Sequence, residues 1–152
     1  MEDLEIWQAE ILQEIELEIS VDFLAEPAPK YSTSIKYQDN VLLRLTFEFA
    51  LESIRFTKLV KKDNYHELAR QLFRSATSIG ANSKEAQNAE SKADFIHKLK
   101  IALKEADETE YWLFLCENLE DCASPKLLIE KLSVILKILT KIIATSKTRI
   151  NN

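Results

Sequence analysis

From residue 40 onward the apolar positions recur every three or four residues, the period of a helix with one buried face. Val41, Leu42, Leu45, Phe49, Phe56, Leu59 and Val60 predict a helix that Asp39 or Asn40 can cap. It ends at Lys61-Lys62, where bases suit the negative end of the helix dipole. Leu43, Phe47, Leu51 and Ile54 give it a second apolar face. Asp63-Asn64 reads as a turn that also caps the next segment, which runs from Tyr65 through Leu68, Leu72, Phe73, Ala76 and Ile79 to about Asn88. Ser91, with Asp94 three positions on in the manner of a capping box, starts a long helix to about Glu120. Pro125 sits in its favoured first-turn place at the head of the last helix. Leu128, Leu132, Ile135, Leu136, Leu139, Ile142 and Ile143 line that helix, with Ile129, Val134 and Ile138 beside them.

These elements predict an all-α fold, an antiparallel up-down four-helix bundle over residues 37–152, preceded by an acidic N-terminal arm and linker over residues 1–36. Residues 1–30 hold nine acids against one base, Lys30, a balance of −8; with the whole chain at −5, residues 31–152 carry +3. In the arm, Leu4, Trp7, Ile11 and Ile15 recur near helical spacing, while Ile15, Leu17 and Ile19 alternate with acids as a strand would. A helix is the favoured reading, ended by Pro27-Ala28-Pro29 because proline breaks the hydrogen-bond ladder. The apolar faces of the first and last bundle helices are wider than the roughly 100° stripe a monomeric bundle needs. Either the arm or another subunit must cover the surplus, and oligomerisation is the expectation.

Gly80, the sole glycine of the chain, lies inside a helical pattern where it costs about 1 kcal/mol against alanine. The stripe Ala76, Gly80 and Ser83 therefore reads as a packing seam against a helix that comes too near for larger side chains. Around it, the run Arg74-Ser75-Ala76-Thr77-Ser78-Ile79-Gly80-Ala81-Asn82, the following Lys84-Glu85-Ala86, the segment Ser91-Lys92-Ala93-Asp94-Phe95 and the run from Ile101 to Leu113 resemble the four-helix-bundle proteins encoded in intervening sequences of bacterial 23S ribosomal RNA genes. The resemblance is specific in Gln71–Leu113 and extends as a helical pattern from about Asp39 to Thr148. Ser83 and Lys84 stand where family members commonly carry an aliphatic and then a small residue. The resemblance implies a bundle that assembles into a ring-like homopentamer, in a family with no established enzymatic activity; no cofactor is expected. It also implies kinship with the accessory protein of diversity-generating retroelements, which binds a reverse transcriptase and nucleic acid.

Composition bounds the function further. With 46% hydrophobic and 30% charged residues in 152, the chain suits one globular domain, and no apolar run nears the roughly 20 residues that span a bilayer. Met1-Glu2-Asp3 begins with acids where a secretory leader has bases, and Cys116 and Cys122 read as reduced thiols rather than a bridge, so a cytoplasmic location is expected. Asp63 with His66, and Asp94 with His97, have metal-ligand spacing, but both aspartates already serve as turn or cap residues, and no metal site is expected. No phosphate loop or activated nucleophile appears.

Arg70 and Arg74 lie one turn apart, as do Lys100 and Lys104; with Lys98 they are the candidate nucleic-acid-binding residues, multiplied by any ring. The competing reading pairs Lys104 with Glu108 and Lys100 with Asp107 or Glu105 on a solvated face, and makes some of Glu85, Glu105 and Glu110 half-buried partners of Arg70 or Arg74 that set helix register. The expected function is a non-enzymatic oligomeric scaffold or adaptor with RNA, DNA or a reverse-transcriptase-like protein as partner. The alternative is a purely protein–protein bundle in which the acidic arm docks on a neighbouring subunit.

Overall fold

The structure, a computed structural model that describes residues 2–18 and 40–151, is built of helices and turns alone among those residues. In chain order they are α1 (Glu2–Glu18), α2 (Val41–Lys62), α3 (His66–Ala86), α4 (Lys92–Glu117) and α5 (Lys126–Asn151). The Pro27-Ala28-Pro29 break and the linker expected after it lie outside the described residues.

Helix boundaries follow from local chemistry. Asn40 has extended backbone and its side chain accepts from the Leu43 amide at 3.1 Å, satisfying one of the orphan donors that open α2. Ser91 does the same for α4 through the Asp94 amide, while the Asp94 carboxylate reaches back to the Glu90 amide at 3.1 Å, closing a capping box shifted by one residue. Asn64 makes the α2–α3 turn in the left-handed region, φ 69°, which asparagine tolerates. Asp63 does not cap α3 as expected. It is the C-cap of α2, and its carboxylate instead accepts from the Ala123 amide at 3.0 Å, pinning this turn to the α4–α5 loop. Tyr65, the N-cap of α3, donates its hydroxyl to Asp121 in that same loop.

Short turns make α2 to α5 run alternately up and down, each beside the next, and α5 returns beside α2 to close a four-helix bundle. In α2, α3 and α5 the buried positions include the predicted stripes, Leu42, Phe49 and Val60 of α2, Leu72 and Ile79 of α3, and Leu132, Ile135 and Leu139 of α5; Leu99 and Leu113 of α4 are buried with them. Lys131 of α5 reaches Glu52 of α2 at 2.6 Å in a partly buried ion pair, so the α2–α5 register is set by charge as well as by shape.

The described part of the arm, Glu2–Glu18, is a helix that packs within its own chain. α1 lies across one end of the bundle, where α2 and α4 begin and α3 and α5 finish. Trp7, Ile11, Leu12 and Ile15 join the common core, with the Trp7 ring set edge-on to Phe95 at 5.6 Å and Lys92 over its face. Gln8 donates to the Ala86 carbonyl. Arg149 forks to Glu10 and Glu14, both at 2.9 Å. Glu16, an acid at the wrong end of its own helix dipole, accepts from the Val41 amide at 3.3 Å and so sits at the favourable end of α2. The strand alternative is excluded up to Glu18: Leu17, which would have shared the buried face with Ile15, is 82% exposed.

Gly80 marks the close approach predicted for it. A methyl placed there would lie 3.4 Å from the Thr46 carbonyl oxygen of α2, an ordinary contact with no room to grow toward that backbone. Gly80→Ala is therefore expected to raise stability by up to about 1 kcal/mol through helix propensity, and Gly80→Leu to lower it by about 1–3 kcal/mol through overpacking. Denaturant titration of both variants checks this; a Leu variant as stable as the Ala variant would show that α2 yields freely. Ile11→Ala should cost about 2–5 kcal/mol if α1 belongs to the core, against nearly nothing for a solvated arm.

Candidate functional site

Of the five candidate basic residues, Arg70 and Arg74 lie on α3 and Lys98, Lys100 and Lys104 on α4, and the structure divides them. Arg70 is spent within its own helix: its guanidinium donates twice to Glu67, at 2.8 and 3.0 Å, rather than to Glu85, Glu105 or Glu110. Lys98 crosses from α4 to α3 and meets Glu85 at 2.8 Å; that hydrogen bond raises its pKa. Arg74 faces Glu105, whose carboxyl is held above its ordinary value by burial and by Glu108, against the opposing pull of Arg74. Glu108 accepts from the Trp112 indole at 3.0 Å instead of pairing with Lys104. Lys100 and Lys104 are exposed and have no ion partner among the described residues. Of the expected strip, these two neighbouring cations, one turn apart, are what remains open to a phosphate. The polar contacts of α1 reach Ala86, Lys92, Val41 and Arg149, none of the five candidates.

Beneath this face the packing residues come together. Ala76 and Ser83 are fully buried, and Gly80 sits against Thr46. Ser83, where an aliphatic residue would be usual, donates to the Ile79 carbonyl one turn back, at 2.8 Å, so its hydroxyl is buried without being orphaned. Between α3 and α4, Thr109 donates to the Glu105 carbonyl at 2.7 Å and shares a hydrogen bond with Ser75 at 2.9 Å.

The other chemistry-bearing groups are dispersed. His66 and His97 are exposed, the carboxylates of Asp63 and Asp94 are bound to backbone amides, and among the described residues no three His, Cys, Asp or Glu side chains gather as a metal requires. Cys116 at the end of α4 and Cys122 in the α4–α5 loop are free thiols. Burial, and then the neighbouring Cys122, push the Cys116 thiol up to about 12, which keeps it protonated and unreactive. Tyr65 is likewise pushed up to about 12, chiefly by its hydrogen bond to Asp121. No helix among the described residues is long and apolar enough to cross a membrane.

One surface escaped the sequence reading. Leu59, assigned to the buried stripe of α2, is 50% exposed, and it lines a groove of about 510 Å³ with Arg55, Phe56, Pro125, Leu127 and Leu128. The signal was present in Leu127, which lies off the main stripe of α5; periodicity alone does not say that α2 and α5 leave a groove between them at this end.

Comparison with known proteins gives the chain its relatives. The family model described as 23S rRNA-intervening sequence protein matches residues 38–141. A crystal structure of a protein of unknown function from the S23 ribosomal protein family of Bacteroides thetaiotaomicron is 42% identical, with a TM-score of 0.64, over 68% of this chain and 98% of that one. No curated protein matches the chain.

The thiol and phenol environments predict an alkaline limit to stability. Both groups bind their protons more tightly in the folded than in the unfolded chain, so their contribution is whole below pH 9 and is lost as pH rises toward about 12. Unfolding free energy measured across that range should fall, and Cys116→Ala should make the fall shallower. An identical slope in the variant would place the loss elsewhere.

Proposed function

The chain belongs to the 23S rRNA-intervening sequence protein family, and we propose that it is a non-enzymatic, oligomeric helical-bundle scaffold that presents itself to nucleic acid or to an enzyme acting on nucleic acid. The observation that supports this reading is the apolar surface left outside the core. Leu59, Phe73, Tyr111, Phe114, Leu115 and Leu127 are 38–59% exposed, and every bundle helix contributes at least one. A single exposed leucine is ordinary on a monomer. Six large side chains, all in the half of the bundle away from α1 and two of them lining one groove, suit a surface that other copies cover. A ring of five is the assembly expected from the resemblance.

In such a ring Lys100 and Lys104 repeat once per subunit, and a pair too weak to hold phosphate alone becomes a field. The second reading, a purely protein-binding bundle, is favoured by the engagement of Arg70 with Glu67 and of Lys98 with Glu85, and by the net charge of −5. Sedimentation of the full chain at micromolar concentration should show a species several times 17.5 kDa, and a monomer at every concentration would end the scaffold reading. Binding to a mixed RNA and DNA pool, followed against salt, separates the two readings. Lys100→Glu with Lys104→Glu should flatten the slope of log affinity against log salt by about 1.8 per engaged subunit if both lysines neutralise duplex phosphates. If the parent binds no nucleic acid even at low salt, the protein-binding account stands in its place.

A further inference from the structure

A second cavity, apart from the groove between α2 and α5, opens between α1 and the bundle. It encloses about 460 Å³, within the range of small-molecule sites. Its α1 wall is one stripe of the helix, with Glu5 and Glu16 toward the two ends and Ala9 and Leu12 between them. Three helical turns separate the two glutamates, so they share a face of α1 and stand about 16 Å apart along its axis. Leu43 lines the bundle side, where α2 begins.

The polar groups around this apolar strip are acceptors in search of a donor. Glu5 is exposed and has no ion partner among the described residues. Glu16 gives one carboxylate oxygen to the Val41 amide at 3.3 Å and keeps the other open. Glu10 and Glu14 stand on a different stripe of α1 and take Arg149 between them, whereas no lysine or arginine lines the cavity. Gln8 is only 6% exposed, and its one hydrogen bond is a long donation of 3.5 Å to the Ala86 carbonyl. Its carboxamide oxygen accepts nothing among the described residues, although it is not sealed inside the protein; it belongs to the wall of the cavity. The other buried carboxamide, Asn40, is already occupied by the Leu43 amide and by Gln87.

We propose that this cavity binds a linear aliphatic polyamine, with one ammonium group at Glu5, another at Glu16, and the methylene chain along Ala9, Leu12 and Leu43. An ammonium carries donors and no acceptor, which matches two open carboxylates and the free oxygen of Gln8. Anions are repelled by the same carboxylates. A metal ion would need its oxygens gathered around one point, and these are spread over three turns. A short amine reaches one end only, so length is what the site selects. Because the ligand would touch both α1 and the start of α2, binding favours the docked position of α1 by mass action. The site needs neither a second copy nor nucleic acid, and it stands or falls apart from the scaffold reading.

Calorimetric titration of the full chain with spermine, spermidine, putrescine and butylamine tests the proposal, with magnesium ion as a control for charge alone. Spermine should bind once per chain and tightest, and butylamine and magnesium weakest. Glu5→Gln and Glu16→Gln should each weaken spermine about tenfold, the effect of losing one charge-assisted hydrogen bond, and leave putrescine much less changed. Glutamine at 16 retains an oxygen for the Val41 amide, and circular dichroism confirms that the variants keep their helices. Asp3→Asn, which removes an exposed acid outside the cavity, should leave spermine binding as it is. Hydrogen exchange of the α1 amides should slow when spermine is added. If magnesium binds as well as spermine, or if Asp3→Asn weakens spermine as much as Glu5→Gln does, the acidic arm merely collects counterions and the site is overturned. Absence of spermine binding to the parent overturns it as well.

Discussion

Close approach of helices through small side chains is the constraint on which the rest of the bundle depends. Ser75, Ala76 and Ser83 of α3, with Ala102, Ala106 and Thr109 of α4, are all fully buried, and Gly80 lets α3 come within ordinary contact of the Thr46 backbone. Small residues leave little apolar area to bury per position, about 25 cal/mol for each Å². What they allow is proximity, which lets the large residues on either side interdigitate. The hydroxyls in this seam are tolerable because each has an acceptor nearby. Ser83 bonds one turn back, and Ser75 and Thr109 bond to each other across the helix pair.

Having spent α3 and α4 on this seam, the molecule holds its remaining elements by other means. The partly buried Lys131–Glu52 pair spans α2 and α5, and the Asp63 carboxylate ties two loops by holding the Ala123 amide. Losing either member of a partly buried pair leaves an unpaired charge, so such contacts select a register more than they add net stability. α1 is attached chiefly by apolar burial, with the Arg149 fork and the Glu16 contact adding directional charge. At partial exposure each ion pair is worth at most about 1 kcal/mol.

Surface electrostatics explain why the α3–α4 face is a weaker phosphate site than its composition suggests. The arginines and lysines there are interleaved with glutamates at spacings that allow intrachain pairs, and Arg70 and Lys98 take them. Unpaired cations remain on that pair of helices at Lys100 and Lys104, and others follow one another along α2 at Arg55, Lys58 and Lys62. An acidic chain thus carries local basic stripes, while its net negative charge lies in the N-terminal segment, whose helix α1 covers one end.

Much of this was legible in the order of residues. The 3.6-residue recurrence from Val41 to Ile143 dictated the bundle helices, Asn40 and Ser91 announced their starts through short-range hydrogen bonding, and Gly80 betrayed a close neighbour because nothing local justifies its cost. These are properties of single helices, determined within a few residues. What tertiary structure alone decided was which partner each charged or apolar group found. Asp63 left its expected cap for an amide 60 residues away. Leu59, periodic with the core, was left half exposed in the groove between α2 and α5. The acidic arm turned its apolar stripe onto the end of its own bundle, a choice set by the exposed ends of four helices that no stretch of sequence contains together.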